Sequence, residues 1–302
     1  MKIASQKGLA IVTGAAGGLG SAFAKQLAER GYRLLLVDRR QEQLEQVCES
    51  IADQHGNCVE LCAVDFCRRE DLERLAGRLA AAPDVELLVN NAGFGTVDYF
   101  ADTDPNYLVG MVDVHVVAPT ILTRAVLPGM LERNRGNIIN VSSVGGWFHS
   151  AGNVQYGSTK NYLAVFSQGL EQELRGTNVR VQALCPGFVR TEFHSAECMQ
   201  AYRTRQPPAD PLWMAAEEVV TYSLRQLHKK QVIVIPGIGY RLVGRLARMP
   251  FLQPLFQWIT RVPRSAPGAV PNTIPSPAQP AFAQPEPVEA YPATTFGMPK
   301  RA

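Results

Sequence analysis

The sequence predicts a single α/β domain built on a doubly wound parallel sheet of about seven strands. Short apolar runs alternate along the chain with segments of helical periodicity, which is the pattern of a parallel sheet with helices on both faces. A glycine-rich turn separates the first apolar run from the first helical segment. The 302 residues, 46% of them hydrophobic, suffice for one large domain whose interior can bury a ligand.

Seven apolar runs are short and bounded by turn-forming or polar residues, so each is predicted to be a strand. In chain order they are Leu9–Thr13, Leu34–Val37, Val59–Val64, Leu87–Asn90, Asn137–Ser142, Val179–Cys185 and Val232–Ile235. Helices are predicted between them at Leu19–Arg30, Gln41–Gln54, a Leu- and Arg-rich segment before Leu87, Asn106–Arg133 and Val154–Leu174. Right-handed crossovers between the strands give a doubly wound sheet.

Three segments lie outside this alternation. Residues 188–211 form a long irregular stretch after a strand end, where a substrate-covering lid is expected. The chain from residue 263 onward holds ten of the 21 prolines and is predicted to be a disordered tail. We therefore assign residues 1–239 to the main domain, 240–262 to an amphipathic helical segment and 263–302 to the tail.

Arginines alternate with large apolar residues through the segment 240–262. A basic amphipathic segment of this kind can lie on an acidic membrane surface. It can equally pack over the ligand site or against a second subunit. We prefer packing, because Pro250 and Pro254 divide the segment into short pieces.

The charge balance and the cysteines exclude several classes of partner. Thirty Lys and Arg residues accompany 27 Asp and Glu residues, a net charge of +3 without a basic cluster in the main domain, so no nucleic-acid partner is expected. The six cysteines form no CxxC pair and no cluster with His, so no metal site is expected. Neither an apolar signal region nor a run of about 20 apolar residues is found, and we expect a cytoplasmic protein.

The glycine-rich turn predicts a site for a dinucleotide pyrophosphate. Its glycines have the spacing GxxxGxG, and the residues concerned are Gly14, Gly18, Leu19 and Gly20. Glycine permits a sharp turn and a close approach of phosphate, while the helix N-terminus supplies N–H donors and a favourable dipole. The alternative, a plain tight turn, explains less well why the glycines lie between a strand and a helix.

The end of the second predicted strand bears on the choice of dinucleotide. Asp38 follows Gly20 by 18 residues, close to the distance at which an acidic residue bonds the adenosine ribose. Arg39 and Arg40 follow it directly, and an arginine here can instead hold the 2′-phosphate of NADP. Because the carboxylate of Asp38 would repel that phosphate, NAD(H) is expected in preference to NADP(H).

Tyr156 and Lys160 are four residues apart in a predicted helix and therefore share one face. A nearby ammonium lowers the pKa of a phenol, about 10 in isolation, and so suits it to proton exchange. Ser143 follows the fifth predicted strand, where its hydroxyl can hold a substrate oxygen. A Tyr and a Lys at this spacing are usually only a helix face, so the interpretation depends on the surrounding motifs.

Five motifs occur in one order: TGxxxGxG, NNAG, a serine, YxxxK and PGxVxT. On these the chain resembles the short-chain dehydrogenase/reductase family over about residues 8–236. The resemblance implies a Rossmann-type fold and an NAD(P)-dependent oxidoreductase that transfers a hydride between the nicotinamide and an alcohol or ketone. It implies Tyr156 as general acid/base, Ser143 as the hydrogen-bond partner of the substrate, and Lys160 as the residue that binds the nicotinamide ribose.

The resemblance also implies which residues line the cofactor groove. Besides the glycine loop and Asp38 they are Asp65 at the adenine, Asn91, Ala92 and Gly93 in the groove, and Pro186, Gly187, Val189 and Thr191 at the carboxamide. The implied partners are a small-molecule carbonyl or alcohol and a second copy of the chain, in a homodimer or homotetramer.

One position departs from the family pattern. The catalytic asparagine of the family is expected in the helix 106–133, where this chain has His115 between two valines. In the family that asparagine supports a water that relays protons to the lysine. His115 either carries the same relay through a ring nitrogen or only fills the space. If its ring titrates near neutrality, the reaction rate acquires an additional pH dependence.

Aromatic residues gather in the predicted lid and after Ser143, which indicates an apolar substrate of medium or large size. They are Phe188, Phe193, His194, Tyr202 and Trp213, joined by Met199, with Trp147, Phe148 and His149 after the serine. The alternative is that about half of them only pack the lid. Two other functions stay open: a non-catalytic sensor of nicotinamide nucleotides, and an interaction protein that works through the tail.

Overall fold

The computed structural model describes residues 7–55, 59–96, 99–148, 151–191, 193, 212–229 and 231–247. All of these belong to one compact unit, Met1–Arg264. The predicted tail, residues 248–262 of the amphipathic segment and most of the predicted lid lie outside the described residues.

Seven parallel strands form the central sheet, which confirms the fold class predicted from the sequence. The strands of the described chain are β1 (Lys7–Thr13), β2 (Tyr32–Asp38), β3 (Val59–Ala63), β4 (Val85–Asn90), β5 (Gly136–Val141), β6 (Val179–Leu184), β7 (Val189–Arg190), β8 (Met214–Ala215) and β9 (Ile233–Val234). The order across the sheet is β3-β2-β1-β4-β5-β6-β9. Strands β7 and β8 pair separately as a short parallel ladder, which the sequence pattern did not predict.

Helices cover both faces of the sheet. Within the described residues they are α1 (Gly18–Glu29), α2 (Gln41–His55), α3 (Arg69–Ala81), α4 (Pro105–Val112), α5 (Ala118–Glu132), α6 (Val154–Glu173), α7 (Ala216–Gln226) and α8 (Ile238–Ala247). The single helix predicted at 106–133 is α4 and α5 joined by a π-helical turn, Asp113–Val117. In this turn the N–H of Ala118 donates to the carbonyl of Asp113, five residues back.

Alternate residues of the strands face opposite sides of the sheet and enter two apolar clusters. Val12 and Leu36 pack with α1, α2 and α7, whereas Ile11 and Leu35 pack with α3, α5 and α6. Because both faces are covered by helices, the strands are apolar on both sides and appear in the sequence as continuous apolar runs.

The stretch Pro105–Glu132 is long and apolar enough, at 28 residues, to cross a membrane. Its apolar residues nevertheless serve the core, since Met111, Leu122 and Val126 are buried, the last two against the sheet and its helices. No other helix of the described chain meets the same criterion. These residues pack as those of a core helix do.

The strand order reverses between β1 and β4, which lie side by side although β2 and β3 intervene in the sequence. In open α/β sheets a crevice forms at such a point, outside the carboxyl ends of the strands. Every motif singled out from the sequence lies at or next to this edge of the sheet. The fold therefore brings them to one side of the molecule.

A buried chain of amides and hydroxyls crosses the sheet behind that edge. Asn90 Nδ2 donates to Asn140 Oδ1 at 2.8 Å and to Thr123 Oγ1 at 3.2 Å, and Asn140 Nδ2 donates to Ser167 Oγ at 2.9 Å. Asn140 is 0% exposed. Its side chain therefore satisfies polar groups on β4 and α6 that water cannot reach.

Replacing Asn140 by Ala would leave the Asn90 amide with one partner fewer and remove a donor to Ser167. We expect N140A to lower the free energy of unfolding by roughly 2–4 kcal/mol, measured by urea denaturation. Asn137→Ala, at a partly exposed position of the same strand, is the control and should change it by less than about 1 kcal/mol. Equal effects of the two substitutions would contradict a specific role for the buried network.

Candidate active site

The glycine loop connects β1 to α1 and keeps the backbone open at the N-terminus of that helix. Gly14 has φ +65°, in the left-handed region that favours glycine. A Cβ at Gly20 would lie 2.0 Å from the carbonyl oxygen of Gly14, so no other residue fits there. Gly17 precedes α1 and provides no side-chain cap, and uncapped N–H groups at a helix N-terminus suit the binding of a phosphate.

Thr13 and Asn91 tie this loop to the end of β4. The Thr13 hydroxyl accepts from the N–H groups of Asn91 and Ala92, both at 3.0 Å, and donates to Val89. Asn91 Nδ2 donates to the carbonyls of Thr13 and Gly14 at 2.9 and 3.0 Å. The side chain of Asn91 thus braces the glycine loop, and the sequence had indicated only that it lines the groove.

Asp38 ends β2 with its carboxylate turned inward, 6% exposed. One oxygen accepts from the N–H of Ala16 at 3.0 Å, and the other accepts from the N–H of Arg40 at 3.0 Å. The Arg40 guanidinium also bonds both oxygens, at 3.2 and 3.3 Å. The Asp38 charge that was expected to repel a 2′-phosphate is therefore paired with Arg40.

Arg39 and Asp65 flank the same edge. Arg39 is exposed, as is Arg40. Asp65 lies just after β3, and its carboxylate accepts from the N–H of Cys67 at 3.0 Å, which fixes the turn that precedes α3. Two arginines, Arg39 and Arg40, thus follow β2, and Arg40 pairs with the Asp38 carboxylate.

The structure brings Ser143, Tyr156 and Lys160 together beyond the carboxyl end of β5. The Ser143 hydroxyl and the Tyr156 ring both lie next to Gly145, where a Cβ would be 3.2 Å from Ser143 Oγ and 3.6 Å from Tyr156 Cε1. The Nζ of Lys160 lies 5.8 Å from the centre of the Tyr156 ring and donates to the carbonyl of Val141 at 2.9 Å. Lys160 is 4% exposed. A carbonyl oxygen placed between the hydroxyls of Ser143 and Tyr156 would therefore receive two hydrogen bonds.

Burial dominates the ionisation of Tyr156 and Lys160. It raises the pKa of Tyr156 to about 12, against a smaller lowering from the nearby Ser143 hydroxyl. It lowers the pKa of Lys160 to about 8. The lowered phenol pKa expected from the Lys160 charge is thus not found in the protein alone. Tyr156 is held as a protonated phenol, the form that donates a proton.

His115 lies in the π-helical turn and is 0% exposed. Its Nε2 accepts from the N–H of Phe94 at 3.0 Å, so the ring proton is on Nδ1, 2.9 Å from Thr159 Oγ1. The Thr159 hydroxyl in turn donates to the carbonyl of Tyr156 at 3.0 Å. Burial, and after it the Lys160 charge, holds the pKa of His115 well below its usual value.

The hydrogen bonds and the burial of His115 argue against titration near neutrality, the condition on which an additional pH dependence was expected. Both ring nitrogens are occupied, one by a backbone donor that requires the neutral ring. A proton relay through either nitrogen would have to break one of these bonds. In the structure the histidine links the segment after β4 to helix α6, through Phe94 and Thr159. No sequence motif indicated Thr159 as its partner.

Residues 186–191 form the opposite wall of the crevice. The carbonyl of Pro186 accepts from the N–H of Val144 at 3.0 Å, which joins this wall to the residue after Ser143. Thr191 lies against the glycine loop, where a Cβ on Gly18 would be 3.3 Å from its side chain. The residues predicted to hold the carboxamide thus reach from Ser143 to the glycine loop.

Comparison with known proteins agrees with this arrangement. A sequence model described as short chain dehydrogenase matches residues 8–200. The chain belongs to this family. The family membership confirms the resemblance found in the motifs.

Two relatives illustrate the range of the family around this member. The very-long-chain 3-oxoacyl-CoA reductase of Anas platyrhynchos is 36% identical over 188 residues, 61% of this chain and 60% of that protein. The NADP-dependent 3-hydroxy acid dehydrogenase YdfG of Salmonella typhi is 37% identical over 196 residues, 62% of this chain and 75% of that protein. The match thus spans less than two thirds of the reductase.

Solved structures of short-chain dehydrogenases cover more of the chain. One from Sphingobium yanoikuyae in complex with NADPH has a TM-score of 0.71 at 29% identity, over 79% of this chain and 92% of that one. One from Burkholderia phymatum in complex with NAD has a TM-score of 0.71 at 25% identity, over 86% of this chain and 99% of that one. The bulky-bulky ketone specific alcohol dehydrogenase from Comamonas testosteroni has a TM-score of 0.70 at 25% identity. That match covers 90% of this chain and 100% of the other.

Lys160 makes the stability of this short-chain dehydrogenase depend on pH. Its folded-state pKa of about 8 lies below the ordinary 10.5, so between these values the unfolded chain binds a proton that the folded chain does not. The contribution of Lys160 to the free energy of unfolding therefore rises with pH. We expect the unfolding free energy of the wild type minus that of Lys160→Met to increase by about 1.4 kcal/mol per pH unit from pH 8 toward pH 10.

Urea denaturation of both proteins from pH 7 to pH 10 measures this difference. Lys25→Met, at an exposed position of α1, is the control and should show no trend. A difference between wild type and K160M that stays constant over this range would contradict the lowered pKa of Lys160.

Proposed function

We propose that this chain is an NAD(P)-dependent oxidoreductase that interconverts a ketone and a secondary alcohol, with Tyr156 as general acid/base. The observation that carries the proposal is the cluster of Ser143 and Tyr156, both next to Gly145, with Lys160 buried beside the Tyr156 ring, on the same edge of the sheet as the glycine loop. A bound nicotinamide supplies or accepts the hydride. The residues of the chain handle the oxygen and its proton.

In the reducing direction the ketone oxygen is held by the hydroxyls of Ser143 and Tyr156. As hydride adds to the carbonyl carbon, the phenol proton moves to the oxygen and the secondary alcohol forms. The tyrosinate that remains is stabilised by the ammonium of Lys160 until a proton from solvent restores the phenol. In the oxidising direction each step runs in reverse, and the tyrosinate removes the alcohol proton.

An apolar substrate of medium or large size is supported by the rings around Tyr156. Phe193 lies 5.9 Å from the Tyr156 ring, centre to centre, and Phe188 lies 5.4 Å from Trp213. His194, Met199, Tyr202 and His149, which were predicted to join them, lie outside the described residues. Two similar proteins agree with this choice: the very-long-chain 3-oxoacyl-CoA reductase and the bulky-bulky ketone specific alcohol dehydrogenase.

The decisive experiment is turnover of a panel of apolar ketones, among them 2-decanone and acetophenone, with NADPH and with NADH. Tyr156→Phe removes the proton donor and should reduce kcat/KM by about 10²–10⁴-fold, with dinucleotide affinity changed by less than about threefold. Tyr162→Phe, on the same helix, is the matched control. Tight dinucleotide binding without turnover of any ketone would favour the nucleotide-sensor alternative.

We further propose that NADP(H) is the preferred dinucleotide, in place of the NAD(H) expected from Asp38. With the Asp38 carboxylate paired to Arg40, the repulsion that favoured NAD(H) is cancelled. The exposed Arg39 beside it can then hold a 2′-phosphate. The NADP-dependent relative and the solved NADPH complex are consistent with this assignment.

Arg40→Ala tests the assignment because it frees the charge of Asp38 without touching Asp38 itself. The ratio of kcat/KM with NADPH to kcat/KM with NADH should fall by roughly tenfold or more. Arg33→Ala, near the opposite end of β2, is the control and should leave the ratio unchanged. A wild-type preference for NADH, or a ratio that R40A does not alter, would contradict the role given to Arg40.

A further inference from the structure

Helix α8 begins four residues after β9 and directs one side chain, Tyr240, at the wall formed by residues 186–191. The sequence placed this helix in a segment that packs over the site, over a second subunit or on a membrane. The described part of this helix packs on the wall formed by residues 186–191. A Cβ at Gly187 would lie 2.1 Å from an atom of the Tyr240 ring, so the ring covers the backbone of Gly187 directly.

The phenol oxygen of Tyr240 joins two parts of the chain that are 24 residues apart. It accepts from the N–H of Phe188 at 3.1 Å and donates to the carbonyl of Leu212 at 2.7 Å. A phenol has a single proton, and here that proton goes to Leu212 because the Phe188 N–H can only donate. Both bonds are with backbone atoms, so they fix main-chain positions on either side.

Phe188 begins the stretch that was predicted to cover the substrate, and Leu212 directly follows its end. Next to them the N–H of Met214 donates to the carbonyl of Phe188 at 3.0 Å, and β7 pairs with β8. The rings of Phe188 and Trp213 are in contact above this ladder. Tyr240 thus closes one end of a small ladder that holds the two strands of the wall side by side.

That wall meets the reacting groups at two places. Thr191 follows β7 and lies against Gly18 of the phosphate loop. Phe193 follows it and lies against the ring of Tyr156. A shift of the main chain at Phe188 therefore moves the aromatic surface that faces the catalytic tyrosine, although Tyr240 itself contacts none of the reacting groups described above.

We propose that Tyr240 is a positioning residue that sets the affinity for bulky ketones by holding residues 188 and 212 together. The proposal rests on the ketone–alcohol activity proposed above. It assigns to α8 a role in substrate recognition, exerted through the main chain of the wall. Small ketones, which do not reach the aromatic wall, should be affected much less than large ones.

The test compares Tyr240→Phe, which keeps the ring on Gly187 but removes both hydrogen bonds, with Tyr222→Phe. Tyr222 is on α7, and its hydroxyl accepts from Arg241 of α8 at 3.3 Å, so it controls for a general loosening of α8. In hydrogen exchange, the amides of residues 188–191 and 212–215 should exchange about tenfold faster in Y240F. In Y222F their rates should match those of the wild type.

Kinetics supply the second measurement, with 2-decanone as the large ketone and 2-butanone as the small one. We expect Y240F to raise KM for 2-decanone about tenfold while kcat changes by less than about threefold. KM for 2-butanone and the dinucleotide Kd should both stay within about threefold.

Unchanged exchange in Y240F, or an equal rise of KM for both ketones, would overturn the positioning role. Failure of the proposed activity has a different signature: the wild type would turn over neither ketone. The exchange measurement would in that case still decide whether Tyr240 holds the two segments together.

Discussion

The hydroxyl of Thr13 joins the two strand ends between which the dinucleotide crevice opens. It bonds two successive amides after β4, and the Asn91 side chain reaches back to the glycine loop. Because the strand order reverses between β1 and β4, this contact fixes the phosphate loop relative to Gly93, next to which His115 and Lys160 lie. The other walls attach to this junction, with Asp38 bonded to Ala16 on one side and Thr191 against Gly18 on the other.

Desolvation governs the chemistry on the substrate side of the crevice. Burial raises the pKa of Tyr156, and it lowers the pKa values of Lys160 and His115. In a site of low dielectric constant, these groups interact more strongly with the charge of a bound ligand than they would in water.

The strands and the motif residues were predictable from the sequence, whereas several side-chain pairings were not. Strands such as β1 and β5 and the Ser143–Tyr156–Lys160 cluster follow from local apolar runs and from motif spacing, which the sequence contains directly. The pairing of Asp38 with Arg40 was not predictable, because a charge run shows which groups are close in the chain but not which way a carboxylate turns. The bonds of His115 and Tyr240 join residues 21 to 52 positions apart, and no local pattern records them.

The π-helical turn at Asp113–Val117 divides one continuous helix into two parts with different angular phase. An α-helix repeats every 3.6 residues, so a wider turn rotates everything after it relative to everything before it. Helix α4 can therefore present its side chains to α6 while α5 presents its own to α3, from the same stretch of sequence. His115 sits where the phase changes, which is why a residue in the middle of a core helix can reach the crevice at all.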